Sequence, residues 1–127
     1  MKLSTRSKGE IAMLKVMLRC AEKGLIVNIP SNNEICYDIL IDDNNKFFRS
    51  QIKYCGRKHE NNLQLNLESV RSKRKYYLSK NVDLLFVYVP SVDKVLIYNA
   101  KKFHKKTRIQ INLINKNSPH YFGKYIW

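Results

Sequence analysis

YDILIDDNNKFFRSQIK, residues 37–53, is the segment around which the rest of the chain is arranged. It contains two apolar runs, at residues 39–41 and 47–52, separated by the sequence DDNN at positions 42–45. A dense cluster of turn residues between two apolar runs is typical of a β-hairpin. We therefore predict antiparallel strands at residues 35–42 and 46–54, with the turn centred on Asn44 and Asn45.

Symmetric folding about this turn places Asp38 opposite Gln51. Side chains directly opposite on an antiparallel pair have Cβ atoms about 5 Å apart, and Lys53 shares the face of Gln51 because side chains alternate with period two. One patch of the sheet would then combine a carboxylate, an amide and an ammonium group, while Ile39 and Ile52 seal the opposite face against a core. Spacing alone fits equally well with a solvated sheet face that carries an incidental Asp–Lys pair.

The charge of the chain indicates the class of partner. The 127 residues predict one domain, and they carry a formal net charge of +14. Such an excess of lysine and arginine favours a polyanion, nucleic acid first, because binding releases the counterions condensed on the phosphates. A membrane is not expected as a partner, since no basic segment has a clean apolar face and no run approaches the roughly 20 apolar residues of a spanning helix. The basic N-terminal residues are not followed by the apolar stretch of a secretory signal, so we expect an intracellular protein.

The cysteines do not suggest a metal or disulfide framework. Cys20, Cys36 and Cys55 are odd in number and far apart, without a Cys-X-X-Cys pair. This spacing argues against both a disulfide scaffold and a zinc site. We predict that all three are buried small hydrophobic side chains. The histidines are also isolated, and we expect surface or phosphate-contacting roles for them.

A first helix is predicted at residues 11–23. The preceding sequence fits a capping box, with Ser7 as the N-cap and Glu10 at the third helical position, and Gly24 ends the helix. An apolar stripe that includes Leu14 and Leu18 predicts a helix largely buried against a sheet. Glu10 therefore has two interpretations: it caps its own helix, or it directs a carboxylate from the first turn towards the face of Asp38.

The remaining elements are predicted from apolar runs and turn signals. They are a short strand at 25–29, a polar loop at 56–62, a second helix at 67–79, a strand at 82–90 buried on both faces, a strand at 94–98, and an alternating strand around 109–113. Asp83, at the start of the doubly buried strand, is expected to have a local partner rather than a catalytic role.

Three groups of basic residues are candidates to contact nucleic acid phosphates. They are Arg57, Lys58 and His59 in the polar loop, Arg71, Lys73, Arg74 and Lys75 on the outer side of the second helix, and Lys101, Lys102, Lys105, Lys106 and Arg108 in the tail. Charge alone also fits a solvated loop for the first group. The tail has no acidic residue after Asp93, and its aromatic residues suit contact with either DNA or a second subunit.

Asp38, the tripeptide Gln51–Ile52–Lys53 and Glu10 together resemble the signature of the PD-(D/E)XK nuclease superfamily. The resemblance is to its group I intron-associated branch of homing endonucleases, which commonly carry Gln-X-Lys, and it covers about residues 8–103. It implies a mixed α/β, restriction-endonuclease-like fold in the order α-β-β-β-α-β with a C-terminal β extension. Residues 1–127 would form one nuclease domain, with its core at about 7–103 and a basic aromatic extension at 104–127.

The same resemblance implies metal-dependent hydrolysis of double-stranded DNA, with Glu10, Asp38, Gln51 and Lys53 as the catalytic residues. Asp38 would be the central ligand of Mg²⁺, or of Mn²⁺ as a substitute. The side-chain oxygen of Gln51, the backbone carbonyl of Ile52 and Glu10 would complete the metal site. Lys53 would orient or help deprotonate the attacking water and stabilise the transition state. Because Gln51 is neutral where a carboxylate is usual, we expect one tightly bound metal ion.

Cutting both strands requires two active sites, so we expect a homo-oligomer, either a dimer or a tetramer. One alternative is a Holliday-junction resolvase of the same fold, which would also be small, basic and dimeric. Another is a non-catalytic basic nucleic-acid-binding protein, for which a charge of +14 would suffice. A pure phosphate binder, however, gains nothing from an anion such as Asp38 placed beside Lys53.

Overall fold

The computed structural model describes residues 2–32, 35–56, 58–59, 61–67, 69–71, 74–76 and 80–127, with the backbone alone described at 58–59, 69–71 and 74–76. The elements are α1 (Thr5–Glu22), β1 (Ile26–Asn28), β2 (Ile39–Asp43), β3 (Lys46–Tyr54), β4 (Lys58–His59), β5 (Asn62–Asn66), β6 (Ser69–Arg71), β7 (Arg74–Tyr76), β8 (Leu84–Val89), β9 (Lys94–Asn99) and β10 (Arg108–Asn112), with 3-10 helices at Ala100–Phe103 and Phe122–Lys124. Across these ranges no helix is long and apolar enough to cross a membrane.

Five strands form a central mixed sheet in the order β1-β2-β3-β8-β9. The neighbouring strands are antiparallel except β3 and β8, which run parallel. A second antiparallel sheet has the order β10-β5-β4, and β6 pairs with β7. This mixed arrangement confirms the predicted α/β class.

Two hydrophobic cores lie on opposite sides of β8, as expected for a strand buried on both faces. The core on the α1 side contains the buried residues Ala12, Val16, Cys20, Ile39, Ile41, Phe86, Tyr88 and Val95. The core on the side of the second sheet contains Cys55, Leu63, Leu65, Leu67, Val82, Leu85, Val87, Val89, Leu96, Tyr98, Ala100, Ile109 and Ile111. We call these the helix-side core and the second core.

Helix α1 begins earlier than predicted and buries a different stripe. Its N-cap is Ser4, whose Oγ accepts a hydrogen bond from the Ser7 N–H at 3.1 Å, so the predicted capping box with Ser7 as N-cap is wrong. The predicted apolar stripe is also wrong, because Leu14 and Leu18 are exposed. The buried positions of α1 are Ala12, Val16 and Cys20. Their small side chains let the helix backbone approach the sheet closely. Helical periodicity alone does not choose between two adjacent apolar stripes.

The predicted second helix at residues 67–79 is wrong in the part that the structure describes. Strands β6 and β7 form an antiparallel pair there, with Arg71 opposite Arg74. In a helix, Arg71, Arg74 and Lys75 would lie three or four residues apart and repel one another, whereas Val70 and Tyr76 favour strands. The predicted polar loop at 56–62 likewise contains β4, which pairs with the unpredicted strand β5.

The aromatic residues of the tail pack within the subunit. The Trp127 ring contacts Phe86, with centroids 4.7 Å apart, and the Tyr125 ring stacks on Tyr98 at 4.5 Å. The tail also extends the central sheet beside β9, since the Trp127 N–H donates to the Val95 carbonyl at 3.0 Å. These contacts explain the positions of the Tyr125 and Trp127 rings within the subunit, and contact of the tail with DNA or a second subunit stays a prediction.

The three cysteines differ in exposure, contrary to the prediction that all are buried. Cys20 and Cys55 are buried, and Cys36 is exposed. Burial raises the pKa of the Cys20 and Cys55 thiols to about 11, so both stay protonated and shielded near neutral pH. The nucleophile in thiol modification is the thiolate.

We therefore expect a thiol-specific disulfide reagent at pH 8 to modify one cysteine per native chain rapidly. All three should react after unfolding in urea, and Cys36→Ser should remove the rapid phase. Absorbance of the released chromophore measures both stoichiometry and rate. Rapid reaction of two or more thiols in the native protein would contradict the observed burial.

Candidate active site

The turn of the β2–β3 hairpin lies at Asn44 and Asn45, as predicted. Their backbone φ angles are 49° and 73°, and the Asn45 N–H donates to Asp42 Oδ1 at 3.2 Å. Two-residue hairpin turns with positive φ at both positions match the twist of the flanking strands, and asparagine tolerates this conformation. The turn chemistry is therefore sufficient to set the register of the two strands.

The pairing of β2 with β3 brings Asp38 to the strand that carries Gln51. Ile39 and Ser50 are the last regular pair of the two strands at this end of the hairpin. The Asp38 N–H donates to the Ser50 carbonyl at 2.9 Å, one residue out of that register, so the regular ladder ends at Ile39. The predicted opposition of Asp38 and Gln51 lies beyond the last regular pair and stays a prediction.

The Asp38 carboxylate closes the end of the β2–β3 ladder. Its Oδ2 accepts a hydrogen bond from the Ile52 N–H at 2.7 Å. Because β2 begins at Ile39, this oxygen takes the place that a strand carbonyl would occupy. Charged acceptors form shorter and stronger hydrogen bonds than neutral ones. The Asp38 side chain is thus held against β3 by its hydrogen bond with the Ile52 backbone.

Gln51 and Lys53 lie on the sheet face that points away from α1. Ile52, between them, packs against the helix-side core. In the parallel pairing of β3 with β8, Gln51 lies beside Leu85 and Lys53 beside Val87, and both of these partners belong to the second core. The half-buried Gln51 and Lys53 side chains therefore occupy the polar margin of the second core.

The backbone of Ile52 adds a third oxygen to this group. The N–H and the carbonyl of one strand residue point to the same side of the strand. Since the Ile52 N–H donates to Asp38, the Ile52 carbonyl also points to the β2 side, beyond the first residue of that strand. A carboxylate, an amide and a backbone carbonyl are oxygen donors of the kind that hard divalent cations prefer.

Glu10 is exposed on α1 and pairs with Arg6, with Nε and Oε1 3.2 Å apart. It does not take part in capping, because the helix begins at Thr5. The start of α1 nevertheless lies near the end of β3, since Lys8 Nζ is 5.9 Å from the centroid of the Tyr54 ring. An exposed pair four residues apart on a helix is weak and breaks readily. Among the described residues no three His, Cys, Asp or Glu side chains form a group that could hold a metal ion.

The basic candidates fall into three sets. Lys101, Lys102, Lys105, Lys106 and Arg108 are exposed, at or beyond the 3-10 helix that follows β9. The backbones of Lys58, His59, Arg71, Arg74 and Lys75 lie in strands β4, β6 and β7, rather than in a loop and a helix. Arg57 and Lys73 lie outside the described residues.

Asp83 has the local partners that the sequence predicted. Its Oδ2 accepts a hydrogen bond from the Arg49 N–H at 2.9 Å, and its Oδ1 lies 3.9 Å from Lys101 Nζ. Arg49 was not among the predicted site residues, although its position two residues before Gln51 puts it on the same sheet face. That spacing was the signal available in the sequence.

Lys15 on α1, Tyr88 on β8 and Asp93 in the turn after β8 form a hydrogen-bonded network. Lys15 Nζ donates to Asp93 Oδ1 at 2.9 Å, and the Tyr88 hydroxyl donates to the same oxygen at 2.8 Å. The bond from Lys15 is the main reason that the pKa of Asp93 is below its usual value, and the same bond raises the pKa of Lys15. This network fastens α1 to the turn between β8 and β9.

Comparisons with known proteins bear on the family and the fold of the chain. A sequence model described as PD-(D/E)XK endonuclease matches residues 3–124. The solved structure of a bacterial homing endonuclease, I-Ssp6803I, is similar with a TM-score of 0.80 and 20% sequence identity, over 98% of this chain and 89% of that chain. At this identity the likeness concerns the fold. No curated protein matches the chain.

The contact between Asp38 and Ile52 has a measurable effect on stability. Asp38→Ala would leave the Ile52 N–H without its acceptor, at a cost of roughly 1–3 kcal/mol. Asp38→Asn keeps an acceptor oxygen and should lose less. Urea denaturation in chelator measures the free energy of unfolding, and Asp43→Ala, which removes an exposed carboxylate from the same strand, is the matched control. Equal losses for Asp38→Ala and Asp43→Ala would contradict the structural role.

Proposed function

Because this chain belongs to the PD-(D/E)XK endonuclease family, we propose that it is a metal-dependent, site-specific endonuclease of the homing type. Double-stranded DNA would be its substrate, and the described fold would form one nuclease domain. The observation that supports the proposal is the hydrogen bond from the Ile52 N–H to the Asp38 carboxylate, which holds that carboxylate against the Gln51–Ile52–Lys53 segment. The similarity of the fold to a bacterial homing endonuclease supports the homing type.

Nucleases of this family generally use divalent metal ions, and the oxygen donors of the site suit Mg²⁺, with Mn²⁺ as a substitute. Asp38, Gln51 and the Ile52 carbonyl would hold the ion. Because α1 packs on the opposite face of the sheet from Gln51 and Lys53, Glu10 would have to reach the ion past the end of the sheet, directly or through water, after its exposed contact with Arg6 is broken. When bound, such an ion lowers the pKa of a coordinated water and offsets the charge that builds up on the phosphate.

Lys53 is the side chain that would contact the attacking water and the scissile phosphate. In hydrolysis the water oxygen forms a bond to phosphorus while the bond from phosphorus to the 3′ oxygen breaks, which leaves 5′-phosphate and 3′-hydroxyl ends. The Lys53 ammonium would donate hydrogen bonds to the attacking water and to a phosphate oxygen, where negative charge increases in the transition state. Its position beside the second core restricts the side chain and limits its exposure to water.

The exposed cations at the end of β9 and in β10 would hold the DNA backbone outside the reacting centre. Lys102, Lys105, Lys106 and Arg108 have no ion pair within the part of the chain that the structure describes. Cations free of protein carboxylates can neutralise phosphates and release counterions. DNA binding by this surface should therefore weaken steeply as salt concentration rises.

We also propose a homo-oligomer. One active site cuts one strand, so cutting both strands of the duplex requires two copies of this chain. We expect sedimentation velocity in moderate salt to give a dimer or a tetramer, with or without DNA. A monomer in both conditions would refute this arrangement. Linear product from supercoiled DNA would then have to arise through two separate nicks.

The catalytic proposal is tested by cutting a supercoiled plasmid that carries candidate intron-insertion sites, alongside a four-way junction. Wild-type protein in Mg²⁺ should linearise the plasmid at one site, whereas chelator or Lys53→Ala should abolish product while leaving DNA binding largely intact. Lys46→Ala removes the same charge from the same strand and should retain activity. Junction cutting alone would indicate a resolvase, and full activity of Lys53→Ala would refute the assigned site.

A further inference from the structure

Arg49 lies on the strand face that carries the proposed site. Side chains at positions 49, 51 and 53 of β3 project to the same side, so Arg49 and Lys53 flank Gln51. We propose that Arg49 forms a second phosphate-binding site, which holds the phosphate next to the scissile one on the cleaved strand. This inference rests on the proposed function, because the scissile phosphate is placed by Asp38 and Gln51.

The sheet face around Arg49 is open to an incoming ligand. Arg49 is exposed, and its cross-strand partner on β2 is Leu40, which belongs to neither hydrophobic core. Asn28, the partner of Leu40 on β1, is exposed as well. Within the described residues, the second core therefore lies over the β8 and β9 part of this face, while the part around Asn28 and Arg49 is accessible.

In the described part of the chain, no acidic side chain around this sheet face accepts a hydrogen bond from the Arg49 guanidinium. Asp38 accepts the Ile52 N–H, and Asp42 accepts the Asn45 N–H. Asp83 accepts the backbone N–H of Arg49 itself and lies 3.9 Å from Lys101 Nζ. Among the described residues, no ion pair involves the Arg49 guanidinium. The guanidinium is thus left for an anion from outside the chain.

The backbone of Arg49 is held on its β8 side. Its N–H donates to Asp83 Oδ2 at 2.9 Å, and its carbonyl accepts the Asp83 N–H at 2.8 Å. The first bond goes to the Asp83 side chain and the second to the backbone, and both lie just before the first paired residues of β3 and β8, Ser50 and Leu84. A fixed backbone lowers the conformational entropy that the side chain loses on binding.

The spacing suits an adjacent phosphate. Two residues along a strand span about 6.6 Å, so Arg49 starts one such step from Gln51, on the side opposite Lys53. The long Arg49 side chain can therefore reach a phosphate that lies beyond the proposed metal site, on the side away from Lys53. Its guanidinium can bind two phosphate oxygens at once. Lys53 would then act on the scissile phosphate and Arg49 on its neighbour, which fixes the direction of the DNA strand across β3.

The first test is binding of a labelled DNA duplex in chelator, where no cleavage occurs. Arg49→Ala should weaken binding about tenfold, the loss typical of a charge-assisted contact. Arg49→Lys should recover part of that loss. The control Lys46→Ala removes one exposed cation from the opposite face of the same strand, and we expect less than about a twofold effect. Equal losses for Arg49→Ala and Lys46→Ala would overturn the proposal.

The second test changes the DNA, so it does not depend on the folding of a variant. After the cut is mapped, a neutral methylphosphonate replaces the phosphate on either side of the scissile one. At one of these positions it should slow cleavage by wild type about tenfold and cleavage by Arg49→Ala less than about twofold, because the contact is already absent. Independent, multiplicative effects at both positions would overturn the site at Arg49.

The two proposals fail in different ways. Full cleavage by Lys53→Ala, or no cleavage by wild type, would refute the nuclease site and leave Arg49 to be judged by the binding test. Loss of cleavage in Lys53→Ala together with an Arg49→Ala protein that behaves like Lys46→Ala would refute the inference about Arg49 alone. Thermal unfolding of each variant checks that the native fold is retained.

Discussion

Burial of β8 on both faces is the constraint from which the arrangement of the molecule follows. Leu85, Phe86 and Val87 are fully buried, and their side chains point alternately into the two cores. A strand of this kind needs an apolar layer on each side, because its exposed apolar surface would otherwise face water. Helix α1 supplies one layer and the sheet of β4, β5 and β10 supplies the other.

The same constraint places the polar site at β2 and β3. Between the two cores there is no room for ionised groups without partners, since burying a charge without compensation is costly. At the outer half of the central sheet the second core ends. Gln51 and Lys53 lie along this margin, and the Asp38 carboxylate meets the backbone of Ile52 between them. The site therefore combines a rigid apolar support with access from solvent.

Asp38 couples this site to the fold. Its carboxylate completes the hairpin ladder by accepting the Ile52 N–H, and the same group is the central proposed metal ligand. In a protein with a net charge of +14, the hydrogen bond from the Ile52 N–H holds this carboxylate in place without neutralising it. The negative charge thus remains available to a cation, while the lysines and arginines remain available to phosphates.

Local patterns in the chain were enough for the hairpin, for its turn at Asn44 and Asn45, and for the limits of β3 at Lys46 and Tyr54, because turn chemistry and period-two alternation act between near neighbours. Local pattern failed at the second helix, at the buried stripe of α1 and at Cys36. There the outcome depends on which apolar side chains find partners far away in the chain, and strand pairing such as that of β5 with β10 leaves little local trace. The open face around Arg49 likewise came from packing, since the limits of the second core are set by contacts between distant segments.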